Sequence, residues 1–143
     1  MTIYQLSIFI ENRTGTLVKV LRILKQEGIQ IVASTVADTA DYGIYRLICS
    51  EPERACEKLR EGGISVALSD VFALELDNEP GRASDAIETF EKAGISISYL
   101  YSFLLKGKGV LIFRTDDIEK AREVILENKL RCIAEPDLSK LAE

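Results

Sequence analysis

The strongest constraint on this chain is that it states one pattern twice. Glu11-Asn12-Arg13-Thr14-Gly15-Thr16-Leu17 returns sixty-six positions later as Asp77-Asn78-Glu79-Pro80-Gly81-Arg82-Ala83. At the same offset Gly28-Ile29 meets Gly94-Ile95, Ile31 meets Ile97 and Gly43 meets Gly109. Glu53, Ala55, Glu57 and Glu61 meet Glu119, Ala121, Glu123 and Glu127, and no gap is needed. Such a period is too long for a solenoid repeat and suits a small domain. Two domains are therefore expected, residues 1–69 and 70–143, with almost no linker at Ser69-Asp70.

The elements of one copy can be read from periodicity. Leu6, Ile8 and Ile10 alternate with Gln5 and Ser7, the signature of a strand with one wetter face. Leu17, Val20, Leu21 and Leu24 follow at helical spacing, and Gly28 supplies a stop. Ile29 to Thr39 reads as a second strand, Asp41-Tyr42-Gly43 as a turn, and Ile44 to Ser50 as a third. Pro52 suits the first turn of a helix that runs through Ala55 and Leu59 to Gly62-Gly63. Ile64 to Leu68 is a fourth strand.

The second copy repeats the order. A strand over Val71 to Leu76 precedes a helix marked by Ala83, Ala86, Ile87 and Phe90 and ended by Gly94. Ile95 to Leu105 and Val110 to Thr115 form a hairpin around Lys106-Gly107-Lys108-Gly109. Asp116 is placed to cap the next helix. Leu130 to Ala134 is the last strand, and the polar stretch Asp137 to Glu143 is expected to fray. Each unit is thus β-α-β-β-α-β, which predicts an α+β fold: two ferredoxin-like units, each an antiparallel sheet with helices on one face.

Several chemistries are excluded by composition. The net charge is −5, and no long basic run is present to meet a nucleic-acid backbone. There is no histidine, which removes the commonest general base and metal ligand together. Cys49, Cys56 and Cys132 are odd in number and far apart, as expected of reduced thiols. No apolar run is long enough to span a bilayer, and the N-terminus lacks a signal-peptide pattern. A cytoplasmic protein with no catalytic residue, metal site or cofactor is expected.

The repeated turn is where a ligand would sit. Asn12 and Asn78 are short amides, Gly15 and Gly81 leave backbone uncovered, and each turn opens a helix with unpaired N–H groups and a positive dipole end. Together these features suit a small anion. Arg82 lies in the first helical turn, where its charge opposes the dipole. Either a bound anion or a local pair with Glu79 or Asp85 offsets it. Tyr99, Tyr101 and Phe103 face one way along a strand whose counterpart carries Ala33, Thr35 and Ala37. That bulky stripe fits an interlock of the two units, a ligand pocket or plain core packing.

Glu11 to Leu17, a helix, and then Gly28-Ile29-Gln30-Ile31 resemble the ACT domain, the regulatory module of amino-acid-controlled metabolic enzymes. Ile10 to Gly15 is similar to the effector loop of the phosphoglycerate dehydrogenase branch, which usually has Pro before the Gly. The first copy has Thr14 there, and the second keeps Pro80. Where some family members carry His, this chain has Ile10 and Leu76, and Gln30 and Ser96 stand where Asn is frequent. The resemblance covers nearly all of both units and implies a tandem ACT protein. Its sheets would be paired side by side into one pseudo-symmetric sheet, with an amino-acid effector at the interface between units.

Carried over residue by residue, the resemblance nominates Asn12, Thr14, Gly15, Thr16 and Leu17 with Gln30 and Ile31. In the second copy it nominates Asn78, Pro80, Gly81, Arg82 and Ala83 with Ser96 and Ile97. Loop N–H groups would receive the ligand carboxylate, and Asn12 or Asn78 with backbone carbonyls its ammonium. A homodimer regulating an amino-acid biosynthetic enzyme is expected, with acetolactate synthase as one precedent. The alternative is a purely structural protein-interaction module whose turns hold no ligand. RNA-recognition domains and metal chaperones share the strand order, but the acidic charge and the lack of paired loop cysteines argue against both.

Overall fold

The computed structural model describes residues 2–11, 13–38 and 42–141. The elements run β1 (Ile3–Ile10), α1 (Arg13–Gln26), β2 (Ile31–Asp38), β3 (Gly43–Cys49), α2 (Pro52–Glu61), β4 (Val66–Leu76), α3 (Arg82–Lys92), β5 (Tyr99–Leu105), β6 (Lys108–Arg114), α4 (Ile118–Glu127), β7 (Arg131–Cys132) and α5 (Glu135–Leu141). Contacts divide the chain into two compact units, Tyr4–Ser69 and Met1–Ile3 with Asp70–Glu143. They are called the N-terminal and C-terminal units below.

In the N-terminal unit the strand order is β2-β3-β1, with the start of β4 beside β1 through the Phe9 N–H to Ser65 carbonyl bond of 3.1 Å. The C-terminal unit repeats that order as β5-β6-β4, with β7 on the far side of β4. Neighbouring strands within each ladder are antiparallel, so each first strand runs parallel to its second. This is the split β-α-β arrangement expected of the repeat.

Alternation along the strands selects the helix-covered face. In the N-terminal unit Leu6, Ile8 and Ile10 pack with Tyr45, Leu47 and Cys49 against Val20 and Leu24 of α1 and Ala55 and Leu59 of α2. In the C-terminal unit Phe72, Leu74, Leu111 and Phe113 meet Ala86 and Phe90 of α3 and Ala121, Val124 and Ile125 of α4. Phe113 stacks on Phe72 at 5.3 Å between centroids and meets Phe90 at 4.8 Å. Truncating a ring buried like Phe90 costs about 3–5 kcal/mol.

Helix ends follow one device. After α1, the Ile29 N–H reaches the Leu24 carbonyl and the Gly28 N–H the Lys25 carbonyl. After α3, Ile95 reaches Phe90 and Gly94 reaches Glu91. Both glycines sit at positive φ, as this cap requires. The same pair of bonds closes α4 through Leu130 and Lys129, where the left-handed position is held by a lysine at φ 53°.

Some boundaries differ from expectation. The strands expected on either side of residues 69 and 70 are a single strand, β4. Tyr99 begins β5, so residues 95–98 are irregular. β7 is only two residues long. Asp117 occupies the α4 N-cap in place of Asp116, and its N–H is held by the Thr115 hydroxyl at 3.2 Å. Of the stretch expected to fray, residues 137–141 belong to α5 instead, because Leu138 is buried and anchors the segment, and residues 142–143 lie outside the described residues. Gln5, expected on a wetter face, is fully buried with its amide donating to the Ser7 hydroxyl at 3.3 Å. The Asp41 end of the expected turn lies outside the described residues.

Candidate functional site

In the C-terminal unit β4 ends at Leu76 and α3 begins at Arg82, leaving residues 77–81 as the loop. The Glu79 N–H turns back to the Asp77 carbonyl at 2.9 Å, and the Arg82 N–H reaches the Glu79 carbonyl weakly at 3.4 Å. Gly81 is the N-cap of α3 at φ 86°, ψ −4°, and no side chain caps the helix. Glycine is the residue for such a backbone, since a Cβ there costs conformational energy. The N–H groups of Gly81, Ala83 and Ser84 donate to no acceptor among the described residues. The positive end of this helix therefore keeps three donors for a ligand or water.

Beside the first turn of α3 lies a cleft of about 300 Å³, and of these three residues Ala83 belongs to its lining. Its polar side comprises Asp77, Asn78, Glu79, Arg82 and Ser102, and its apolar side Leu76, Ala83, Phe103, Leu104 and Val110. That volume is at the lower end of small-molecule sites. The charges are arranged around Arg82. Its guanidinium donates to Glu79 at 2.5 Å and to Asp85 at 3.4 Å. The Glu79 hydrogen bond and charge, with lesser help from Asp85, raise Arg82 above its usual pKa, so it stays cationic throughout the working pH range. Lys108 stands 3.5 Å from Asp77. A second cleft of about 320 Å³ opens on the other flank of Arg82 and adds Glu75, Asp85, Thr89, Lys129 and Arg131.

Of the nominated residues, Asn78, Arg82 and Ala83 line the loop cleft, with Pro80 and Gly81 in the connecting turn. Ser96 and Ile97 do not join them within the unit. Leu76 pairs with Gly109 and Gly109 with Leu104, so the loop lies at the Leu104 end of β5. Ser96 and Ile97 precede Tyr99 at the other end, roughly 20 Å away at strand spacing. Ser96 instead accepts the Thr115 hydroxyl at 2.7 Å through its carbonyl, and Ile97 packs against the core. The cleft's own strand residues are Ser102, Phe103 and Leu104. Only Phe103 of these stood out in the sequence. The signal for the others was the parallel run of the unit's first two strands, which brings their C-terminal ends together.

The N-terminal copy is built differently. Asn12 lies outside the described residues. α1 begins at Arg13, so Thr14, Gly15, Thr16 and Leu17 are helical, with Leu17 packed against the core. The reason is Pro80: a residue before proline is driven out of the helical region, which holds Glu79 outside α3, and Thr14 imposes no such limit on Arg13. Gln30 is bound to Ser50 in both directions, its N–H to the hydroxyl and its carbonyl to the Ser50 N–H, each at 2.9 Å. Ile31 pairs with Cys49, at the end of the sheet away from α1's start.

Among the described residues no group of His, Cys, Asp or Glu is placed to hold a metal ion. Cys49 and Cys56 are buried and Cys132 half-buried, none of the three in a disulfide, and burial raises the Cys132 pKa. No helix among the described residues is long and apolar enough to cross a membrane.

A family model described as an ACT domain pair matches residues 1–142. The crystal structure of protein BT0572 from Bacteroides thetaiotaomicron is similar at 34% identity and a TM-score of 0.92, covering 98% of this chain and 97% of that one. The ligand-free regulatory subunit of aspartate kinase from Thermus thermophilus shares the fold at 15% identity and a TM-score of 0.62, over 87% of this chain and 90% of that one. The corresponding Thermus flavus subunit does so at 16% identity and a TM-score of 0.59, with the same coverage. No curated protein sequence matches the chain.

Proposed function

We propose, from the premise that this chain belongs to the ACT domain pair family, that it is a regulatory, non-catalytic protein that binds a free amino acid at the C-terminal loop cleft. The observation that carries this reading is the coincidence of a helix start with three uncommitted amides, at Gly81, Ala83 and Ser84, and a half-apolar cleft lined by Ala83 of that turn. A zwitterion needs both ends answered, because an unmatched charge is costly to desolvate. The amides and Arg82 are suited to its carboxylate. The Asn78 side-chain oxygen and the Asp77 carboxylate are suited to its ammonium. Leu76, Phe103, Leu104 and Val110 offer an apolar wall to a side chain. Thr14 to Leu17 form the weaker candidate, since their helix has already absorbed the glycine.

Binding would be transmitted to an enzyme of amino-acid metabolism, with the chain acting as a homodimer. Aspartate kinase regulatory subunits share the fold, which supports a detached regulatory role without choosing the enzyme. Acetolactate synthase belongs to the same class of partner. A second reading, an interaction module with no ligand, is favoured by one observation: Arg82 is already paired with both Glu79 and Asp85. Thermal melts against each common amino acid separate the two. A true ligand at one hundred times its Kd adds about 2.7 kcal/mol and a clear rise in Tm. A flat response to all of them would leave only the interaction module.

A further inference from the structure

We propose that α1 of one copy of this chain docks on α3 of a second copy, and that opposite charge on the two helices selects this pairing over like with like. The proposal rests on the homodimer reading above and adds which helices meet. At the offset of sixty-six, Lys19, Arg22 and Lys25 of α1 match Asp85, Glu88 and Glu91 of α3. All six are exposed, and in each helix they recur every third residue. Every matched position has changed sign. α1 contains no acidic residue, although the chain as a whole carries a net charge of −5. A face charged only for solubility mixes both signs, as the interleaved Glu57, Lys58, Arg60 and Glu61 of α2 do.

The occupant is indicated by the charges. Among the described residues Lys19, Arg22 and Lys25 make no ion pair, nor do Glu88 and Glu91, and the Asp85 carboxylate reaches only Arg82, at 3.4 Å. Val18 and Leu21, 46% and 42% exposed, share one ridge of α1 with Arg22 and Lys25 at spacings of three and four. The matching ridge of α3 is Ser84, half-buried Ile87, Glu88 and Glu91. Ridges of this spacing are the surfaces by which helices pack. Docking α1 on a second α1 brings cation onto cation, and α3 on a second α3 brings carboxylate onto carboxylate. Only the mixed pairing sets opposite charges together. It does so whichever way the helices run, because both stripes share one spacing. Like charges set against each other across an interface suppress the wrong partner.

Asp85 holds Arg82, so Glu88 and Glu91, which do not, are the residues of α3 to vary. The test is sedimentation of the full chain and of charge-reversed variants. Arg22→Glu with Lys25→Glu is expected to raise the dimer Kd about tenfold or more, and so is Glu88→Arg with Glu91→Lys. The chain carrying all four changes is expected to regain the wild-type Kd, because its stripes are again opposite in sign. An equimolar mixture of the two double variants is expected to associate as well, one chain now acidic on both helices and the other basic on both. That recovery separates loss of pairing from loss of folding. A monomeric wild type would overturn the homodimer reading and this pairing together. A wild-type dimer whose Kd the double variants leave unchanged, or weakened variants that neither the combined chain nor the mixture restores, would overturn the pairing alone.

Discussion

Replacing each loop glycine by alanine should move stability in opposite directions. Gly81 holds φ 86° outside α3, and a Cβ built there meets nothing within 4 Å. The penalty is therefore conformational and not steric. An L side chain in the left-handed region costs about 1–2 kcal/mol, and the smaller freedom of alanine in the unfolded chain returns about 0.4–1 kcal/mol. A net loss of about 1 kcal/mol follows. Gly15 lies in the first turn of α1, where alanine is the better helix former by about 0.5–1 kcal/mol. At roughly 4 °C per kcal/mol for a chain of this size, the two variants should melt about 6–8 °C apart, on either side of wild type. Calorimetric or denaturant unfolding reads the difference. If both variants shift the same way, the two loops do not differ in the manner described.

Three further outcomes follow from the geometry. Glu79→Gln removes the closest partner of Arg82 and should tighten amino-acid binding a few-fold by calorimetric titration, since the freed guanidinium no longer exchanges one carboxylate for another; weaker binding would mean that Glu79 is needed for the ammonium. Lys129→Gly should raise stability by about 0.5–1 kcal/mol in denaturant melts, because a lysine occupies the left-handed cap of α4. Leu138→Ala should cost about 2–5 kcal/mol, because α5 depends on that buried side chain; an unchanged melt would return residues 137–141 to the frayed tail that their polarity implied.

The duplicated architecture was legible because its punctuation is local. Gly28 and Gly94 end their helices by a backbone rule that sequence position alone displays, and the alternation of Leu6, Ile8 and Ile10 marks the buried face of β1. What sequence reasoning missed depended on distant partners. Leu138 is one apolar residue in a polar stretch, and only its burial explains α5. The inequality of the two loops was present in Thr14 and Pro80, where the proline keeps Glu79 out of the helix. Asn78, Arg82 and Ala83 were readable as cleft residues. Ser102, Phe103 and Leu104 reach the cleft only through the sheet order, which no local pattern in β5 displays.

The amides at the start of α3 can be watched directly. In a proton–nitrogen correlation spectrum, the amino acid that raises Tm should shift the Gly81, Ala83 and Ser84 amides downfield more than any others, as expected of donors gaining a carboxylate. Saturating shifts elsewhere with those three signals unmoved would contradict a carboxylate site at this helix start.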